Sequence, residues 1–146
     1  MRLSLLLIHA ASCWFMIGLI WFVQVVHYPL FANVGEAGYR AYQMEHMRLT
    51  TYVVMPVMLL ELATAGLLLL YPDSRLPWGL LVANASMLAL IWASTFFLQV
   101  PVHEQLVNGL NTSLVQKLVF GNWVRTFFWT VRGVLLAWLL WKVMEK

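Results

Sequence analysis

The residues of this chain best suited to chemistry are three histidines, one glutamate and two arginines set among apolar neighbours. His27, His46 and His103 each lie at the end of an apolar run. An imidazole titrates near neutrality and is a common neutral metal ligand, so three of them from separate elements can act as acid and base or hold Fe, Cu or Zn. Three His with an open fourth position would make a catalytic metal site, and carboxylates stand nearby in Glu36, Glu45 and Glu104. No spacing matches a signature such as H-E-x-x-H, and hydrogen-bonded interfacial histidines are the plainer alternative. His27, His46 and His103 are therefore the candidate metal ligands, with haem held by His27 and His103 as a second form of the same idea.

Glu61, Arg125 and Arg132 lie inside apolar stretches, where a charge costs at least about 2.5 kcal/mol. Neither Glu61 nor Arg132 is expected alone. They pair with one another, or Glu61 takes one arginine and the other arginine binds something anionic. A structural salt bridge between helices is the plain reading; a catalytic group of Glu61, Arg125, Arg132 and His46 is the functional one. Gln24, Gln99, Asn122, Trp123 and Trp129 are the candidate residues around a bound cofactor or ligand, the two tryptophans walling an aromatic pocket. His9, Cys13 and Met16 offer softer ligands suited to copper, but His9 lies roughly 27 Å from His27 along a helix, and Met and Cys in a span usually pack.

These side chains must be positioned by membrane helices. With 62% hydrophobic and 10% charged residues and a mean hydropathy of +0.79, the chain has too little polar surface to cover a water-soluble globule. Four apolar segments, 3–26, 52–70, 78–100 and 118–141, each approach the roughly 20 residues a bilayer requires. They predict an all-α integral membrane protein, a four-helix bundle forming a single domain over 1–146. The first segment runs past the length of a signal peptide without a cleavage site and is read as a span. Tyr71 to Pro77, with two prolines and an Asp-Ser pair, is the tight turn between the second and third spans. The connections 28–51 and 101–117 are longer and polar, the former with room for a short helix from Gly35.

The net charge of +3 comes from scattered Lys and Arg, which gives no nucleic-acid patch. Arg2, Arg75, Lys142 and Lys146 flank the turn side, against Arg40, Arg48 and Lys117 opposite, so the positive-inside rule points to cytoplasmic termini in a cell (inner) membrane. One cysteine, Cys13, excludes an internal disulfide. Trp14, Trp21, Trp78, Trp138 and Trp141 read as interfacial anchors.

At helical spacing, polar residues align along one face of each span: His9, Cys13, Gln24 and His27; His46, Thr50, Glu61 and Thr64; Asn84, Trp92, Thr95 and Gln99; Asn122, Arg125, Trp129 and Arg132. Such faces belong in the bundle interior. There is also an internal register. His27 and His103, His46 and Asn122, and Thr50 and Thr126 are each 76 residues apart, and Phe22-x-Gln24-Val25 is echoed by Phe97-x-Gln99-Val100 with one residue fewer between them. A duplicated two-helix hairpin follows, its halves related by an axis along the membrane normal.

His27-Tyr28-Pro29, His46, Glu61, Pro101-x-His103 and Asn122-Trp123-x-Arg125-Thr126 with Trp129 and Arg132 together resemble a group of small bacterial four-helix membrane proteins. The Asn-Trp-x-Arg portion also resembles, more distantly, the anthrone-oxygenase-like family, which implies oxidation of an acidic ring carbon. The expectation is a membrane-embedded redox enzyme, an oxygenase or oxidase, acting on a hydrophobic small-molecule substrate that enters from lipid. Its histidines would bind metal or serve as acid and base, and its arginines would stabilise an anion. Two alternatives stand beside it: a haem-binding electron carrier, and a transporter or binding module for an anionic lipophilic ligand, for which a homodimer is expected.

Overall fold

Long apolar stretches dominate the structure because a helix satisfies every backbone polar group within one segment, as lipid requires. The computed structural model describes residues 2–145; Lys146 and the side chain of Arg2, both counted among the basic flanks, lie outside the described residues. Four helical spans are long and apolar enough to cross a bilayer: Leu3–Asn33, Glu36–Leu70, Trp78–Leu106 and Thr112–Met144. No strand occurs among the described residues.

The expected ends fall short on one side of the bundle. The second helix, α3 (Glu36–Leu70), runs unbroken for 35 residues, so most of the connection expected over 28–51 is helix. Likewise α6 (Thr112–Met144) begins well before residue 118, capped by the Asn111 side chain, which accepts from the Leu114 backbone N–H.

The first and third spans share a discontinuity. In the first, α1 (Arg2–Phe22) passes through a π-helical turn, Val23–His27, into α2 (Tyr28–Leu30) and a 3-10 turn, Phe31–Asn33. In the third, α4 (Trp78–Ser94) passes through a π-helical turn, Thr95–Gln99, into α5 (Val100–Leu106). Each π turn precedes a proline, Pro29 or Pro101. A proline lacks the N–H that the preceding turn would bond and crowds its carbonyl, and a widened turn accommodates both effects. The two hairpins thus share a local feature as well as a sequence register.

The spans pack as an antiparallel ring in chain order, the first closing against the fourth; the seam between the second and third packs least closely. Leu6, Ala10, Cys13, Met16 and Ile20 form the inward face of α1, while Leu118, Trp129, Leu136, Leu139 and Val143 do so for α6. At one crossing the helices approach through Gly133, where an added Cβ would overlap Ile17 Cδ1. The outward faces are apolar, with Phe97, Phe120, Phe127 and Val134 all strongly exposed. Trp14, Trp21, Trp78, Trp138 and Trp141 are also exposed, as anchors in lipid would be.

Candidate functional site

The buried polar side chains form two layers at different heights. The first, nearer the 71–77 turn, is built on Glu61 and Arg132, both 0% exposed. Arg132 Nη1 donates to Glu61 Oε1 at 2.7 Å, and Trp129 Nε1 donates to Glu61 Oε2 at 3.0 Å. Both carboxylate oxygens are therefore engaged. His9 sits beside this pair, its Nε2 3.0 Å from Asn84 Oδ1 and its Nδ1 2.7 Å from Thr64 Oγ1. The Thr64 hydroxyl also donates to the Leu60 carbonyl at 2.7 Å, and Arg132 Nη2 lies 3.4 Å from His9 Nε2, so the histidine is held between the second, third and fourth spans. Arg132 Nε and Nη2 reach the same Asn84 oxygen at 3.4 Å. Cys13 Sγ contacts the Trp129 carbonyl at 3.9 Å. Charge is balanced here, and of the two alternatives for Glu61 the structure takes the pairing with Arg132.

Arg125 belongs to the second layer, without a carboxylate. It is 6% exposed; its Nε and Nη2 donate to Asn122 Oδ1 at 2.9 and 2.5 Å, and Nη2 also donates to the Tyr28 hydroxyl at 3.1 Å. The ion pairs among the described residues are Arg132–Glu61, Arg75–Asp73 and Arg48–Glu45, so the Arg125 cation is balanced by neutral acceptors only. Lone buried charges in such surroundings mark ion or substrate sites.

The three histidines gather around the same layer. His27 Nε2 lies 2.9 Å from His46 Nδ1, Thr50 Oγ1 lies 3.1 Å from that same nitrogen, and the His46 and His103 rings stack at 5.2 Å. His103 Nδ1 lies 2.9 Å from Gln43 Nε2, and His103 Nε2 lies 2.9 Å from the Tyr28 hydroxyl. Gln43 Nε2 also donates to the His103 carbonyl at 3.2 Å. A carbonyl can only accept, which fixes the amide nitrogen as the atom facing His103; Nδ1 therefore accepts and Nε2–H donates to Tyr28. The Tyr28 oxygen receives donors from both His103 and Arg125, and its own hydrogen is left to give elsewhere. His27 Nε2, His46 Nδ1 and both His103 nitrogens are thus tied to one another, to Thr50, to Tyr28 and to Gln43. Among the described residues no group of three His, Cys, Asp or Glu is arranged to hold a metal ion.

A cavity of about 150 Å³ opens beside this network, enough for one aromatic ring or a small polar head group. Its polar end is formed by Tyr28, His46, Thr50, Gln99, His103 and Arg125; its apolar end is formed by Val54, Met55, Met58, Trp92 and Phe96. Most of the lining comes from the second and third spans, the loosest seam of the bundle. Met55 and Phe96, 36% and 52% exposed, carry the opening to the lipid-facing surface. On α3, Glu45 and Arg48 pair on the exposed side at the height of His46. The polar end of the cavity therefore lies at the level of that exposed ion pair, and the apolar end points away from it toward the middle of the spans.

No family model, curated protein or solved structure matches this chain.

The proposed site residues therefore separate. His27, His46, His103, Gln99, Arg125 and Asn122 come together in the second layer, while Glu61, Arg132 and Trp129 lie in the first. The single site expected to join Glu61 and Arg132 to His46 is two sites, since fifteen residues of helix, roughly 22 Å, separate His46 from Glu61. Gln24 is buried, but bonds Asn122, Thr126 and the Val119 carbonyl and does not line the cavity. Trp123 lies outside, 46% exposed and edge-on to Trp21. Neither expected tryptophan walls the cavity; Trp92 does. Gln43 was missed because a polar connection is expected over 28–51, whereas α3 begins at Glu36; Tyr28 was missed because a continuous 3.6-residue period turns His27 inward with Gln24. The π turn shifts that phase, leaving Tyr28 buried and His27 partly exposed. The warning in the sequence is Pro29, whose missing N–H demands a local break.

Proposed function

We propose that this membrane protein binds a hydrophobic molecule bearing an anionic oxygen, taken from the lipid through the seam between the second and third spans. The observation that carries this reading is Arg125: buried, without a carboxylate, and facing a cavity that is polar at the level of the exposed Glu45–Arg48 pair and apolar toward the middle of the spans. A desolvated guanidinium favours an anion more strongly than it does in water. The Tyr28 hydroxyl, already accepting two hydrogen bonds, supplies a second donor to the same anion. In this reading the protein resides in the cell membrane with its termini and the 71–77 turn toward the cytoplasm, and the site opens toward the opposite face.

Binding of dodecanoate, dodecanol and dodecyltrimethylammonium to protein in neutral detergent tests it by calorimetry. Dodecanoate is expected to bind most tightly, and Arg125→Met to abolish that preference. Equal binding of the acid and the alcohol, or a preference that survives in Arg125→Met, overturns the reading.

A second reading makes the bound molecule a substrate, and His46 favours it. Its Nδ1 is engaged by His27 and Thr50 whereas its Nε2 has no hydrogen-bond partner among the described residues. With Nδ1–H donated to His27, Nε2 is the basic nitrogen beside the cavity. It would remove a proton from an acidic carbon, the electron pair passing to the oxygen held by Arg125 and Tyr28. The resulting enolate carbon then adds O₂, takes the proton back from His46 as a hydroperoxide, and loses water to leave a carbonyl, one oxygen atom going to product and one to water. Anthrone is a direct probe: an oxidase of this kind converts it to anthraquinone faster than buffer does, and His46→Ala removes the excess. An excess rate that is absent in wild type, or unchanged in His46→Ala, overturns this second reading while leaving binding intact.

A further inference from the structure

The cavity contains a second demand that an anion alone does not meet. Gln99 is 1% exposed, lines the cavity, and has no hydrogen-bond partner for either its Nε2 or its Oε1. Trp92 Nε1 is also buried without an acceptor. A buried amide left wholly unpaired costs more than almost any other neutral group. Its position is held from behind: a Cβ on Gly121 would come within 3.0 Å of Gln99 Nε2, so the glycine leaves just enough room for the amide against α6.

The other hairpin shows what this register position requires. Gln24 stands where Gln99 stands in the echoed Phe-x-Gln-Val segment. Gln24 Oε1 accepts from Asn122 Nδ2 at 2.9 Å and from the Thr126 hydroxyl at 3.3 Å, and Gln24 Nε2 donates to the Val119 carbonyl at 3.0 Å. The residues 76 positions before Asn122 and Thr126 are His46 and Thr50. These do not serve Gln99; they bond to each other, and His46 also bonds to His27. Gln24 is fully partnered by protein, whereas Gln99, in the cavity wall, is left with both amide atoms unpaired.

We infer that the ligand of this cavity carries a hydrogen-bond donor vicinal to its anionic oxygen, the anion meeting Arg125 and Tyr28 and the adjacent donor meeting Gln99 Oε1. The chemical class is a lipophilic 2-hydroxy acid, its alkyl tail leaving past Met55 and Phe96. This rests on the anion-binding reading above and narrows its ligand.

Calorimetry with 2-hydroxydodecanoate against dodecanoate separates the two. In wild type the hydroxy acid is expected to bind about tenfold more tightly, the ratio that one added buried hydrogen bond supplies. Gln99→Leu should reduce the ratio to near one while retaining dodecanoate binding. Gln99→Met serves if the leucine variant does not fold, and the wild-type comparison needs no variant. Equal wild-type affinities with dependence on Arg125 overturn the vicinal donor and leave the anion site standing. A preference that persists without the glutamine overturns the role of Gln99. Binding of neither acid overturns the anion site and this inference together.

Discussion

Arg132 and Arg125 are seven residues apart on one helix, and both are buried, yet they occupy opposite electrostatic situations. Arg132 faces a carboxylate whose two oxygens are both engaged, with His9, Asn84 and Thr64 bonded around it and the Asn84 Nδ2 alone in that group left unpaired. Arg125 faces a tyrosine, an asparagine and a cavity. A membrane interior tolerates the first because the pair is neutral as a unit. The second is tolerated beside a cavity, at the level of the exposed Glu45–Arg48 pair. The difference teaches that a buried charge by itself does not mark a function; the missing counter-charge and the adjoining space do.

Removing one partner of the closed pair should have the largest effect. Glu61→Ala is expected to destabilise the protein by about 3–5 kcal/mol, because it strands the Arg132 cation. The double variant Glu61→Gln with Arg132→Met should recover at least half of that loss. Unfolding in mixed micelles measures both, and a mild single variant would mean that the first layer is no more closed than the second.

Arg125→Met strands no carboxylate, so unfolding in the same micelles should show stability equal to or above wild type. Its dodecanoate affinity should fall about tenfold to a hundredfold, the range for hydrogen bonds to a charged group. Loss of stability comparable to Glu61→Ala would erase the distinction between the layers. Gly133→Ala sharpens it from the other side. The added methyl meets Ile17 and Trp14, so a melting experiment should show a loss of about 1–3 kcal/mol with dodecanoate binding unchanged. The smallest effect is expected for Tyr28→Phe, which deletes the donor facing the cavity and an acceptor for Arg125 and His103. Titration with dodecanoate should show roughly a three- to tenfold loss of affinity, the fold remaining intact by circular dichroism.

Four spans, their antiparallel order and the inward direction of the polar faces were legible from hydropathy and helical period, because lipid enforces both. Pairing of Glu61 with some arginine was legible for the same reason. Which arginine it took was not, since Arg125 and Arg132 lie on one face and helix height decides between them. The convergence of His27, His46 and His103 was hidden as well: α3 extends from Glu36 where a polar loop was expected, and that extension lifts His46 to the level of His103.

The sequence by itself determined a membrane bundle with charges turned inward, because apolar content and periodicity are local properties that burial in lipid converts directly into structure. Tertiary structure alone decided that one polar layer closes and the other stays open. That outcome depends on distances between residues far apart in the chain, on two π turns that shift the helical phase, and on a seam between the second and third spans that packs loosely enough to leave a cavity at Arg125.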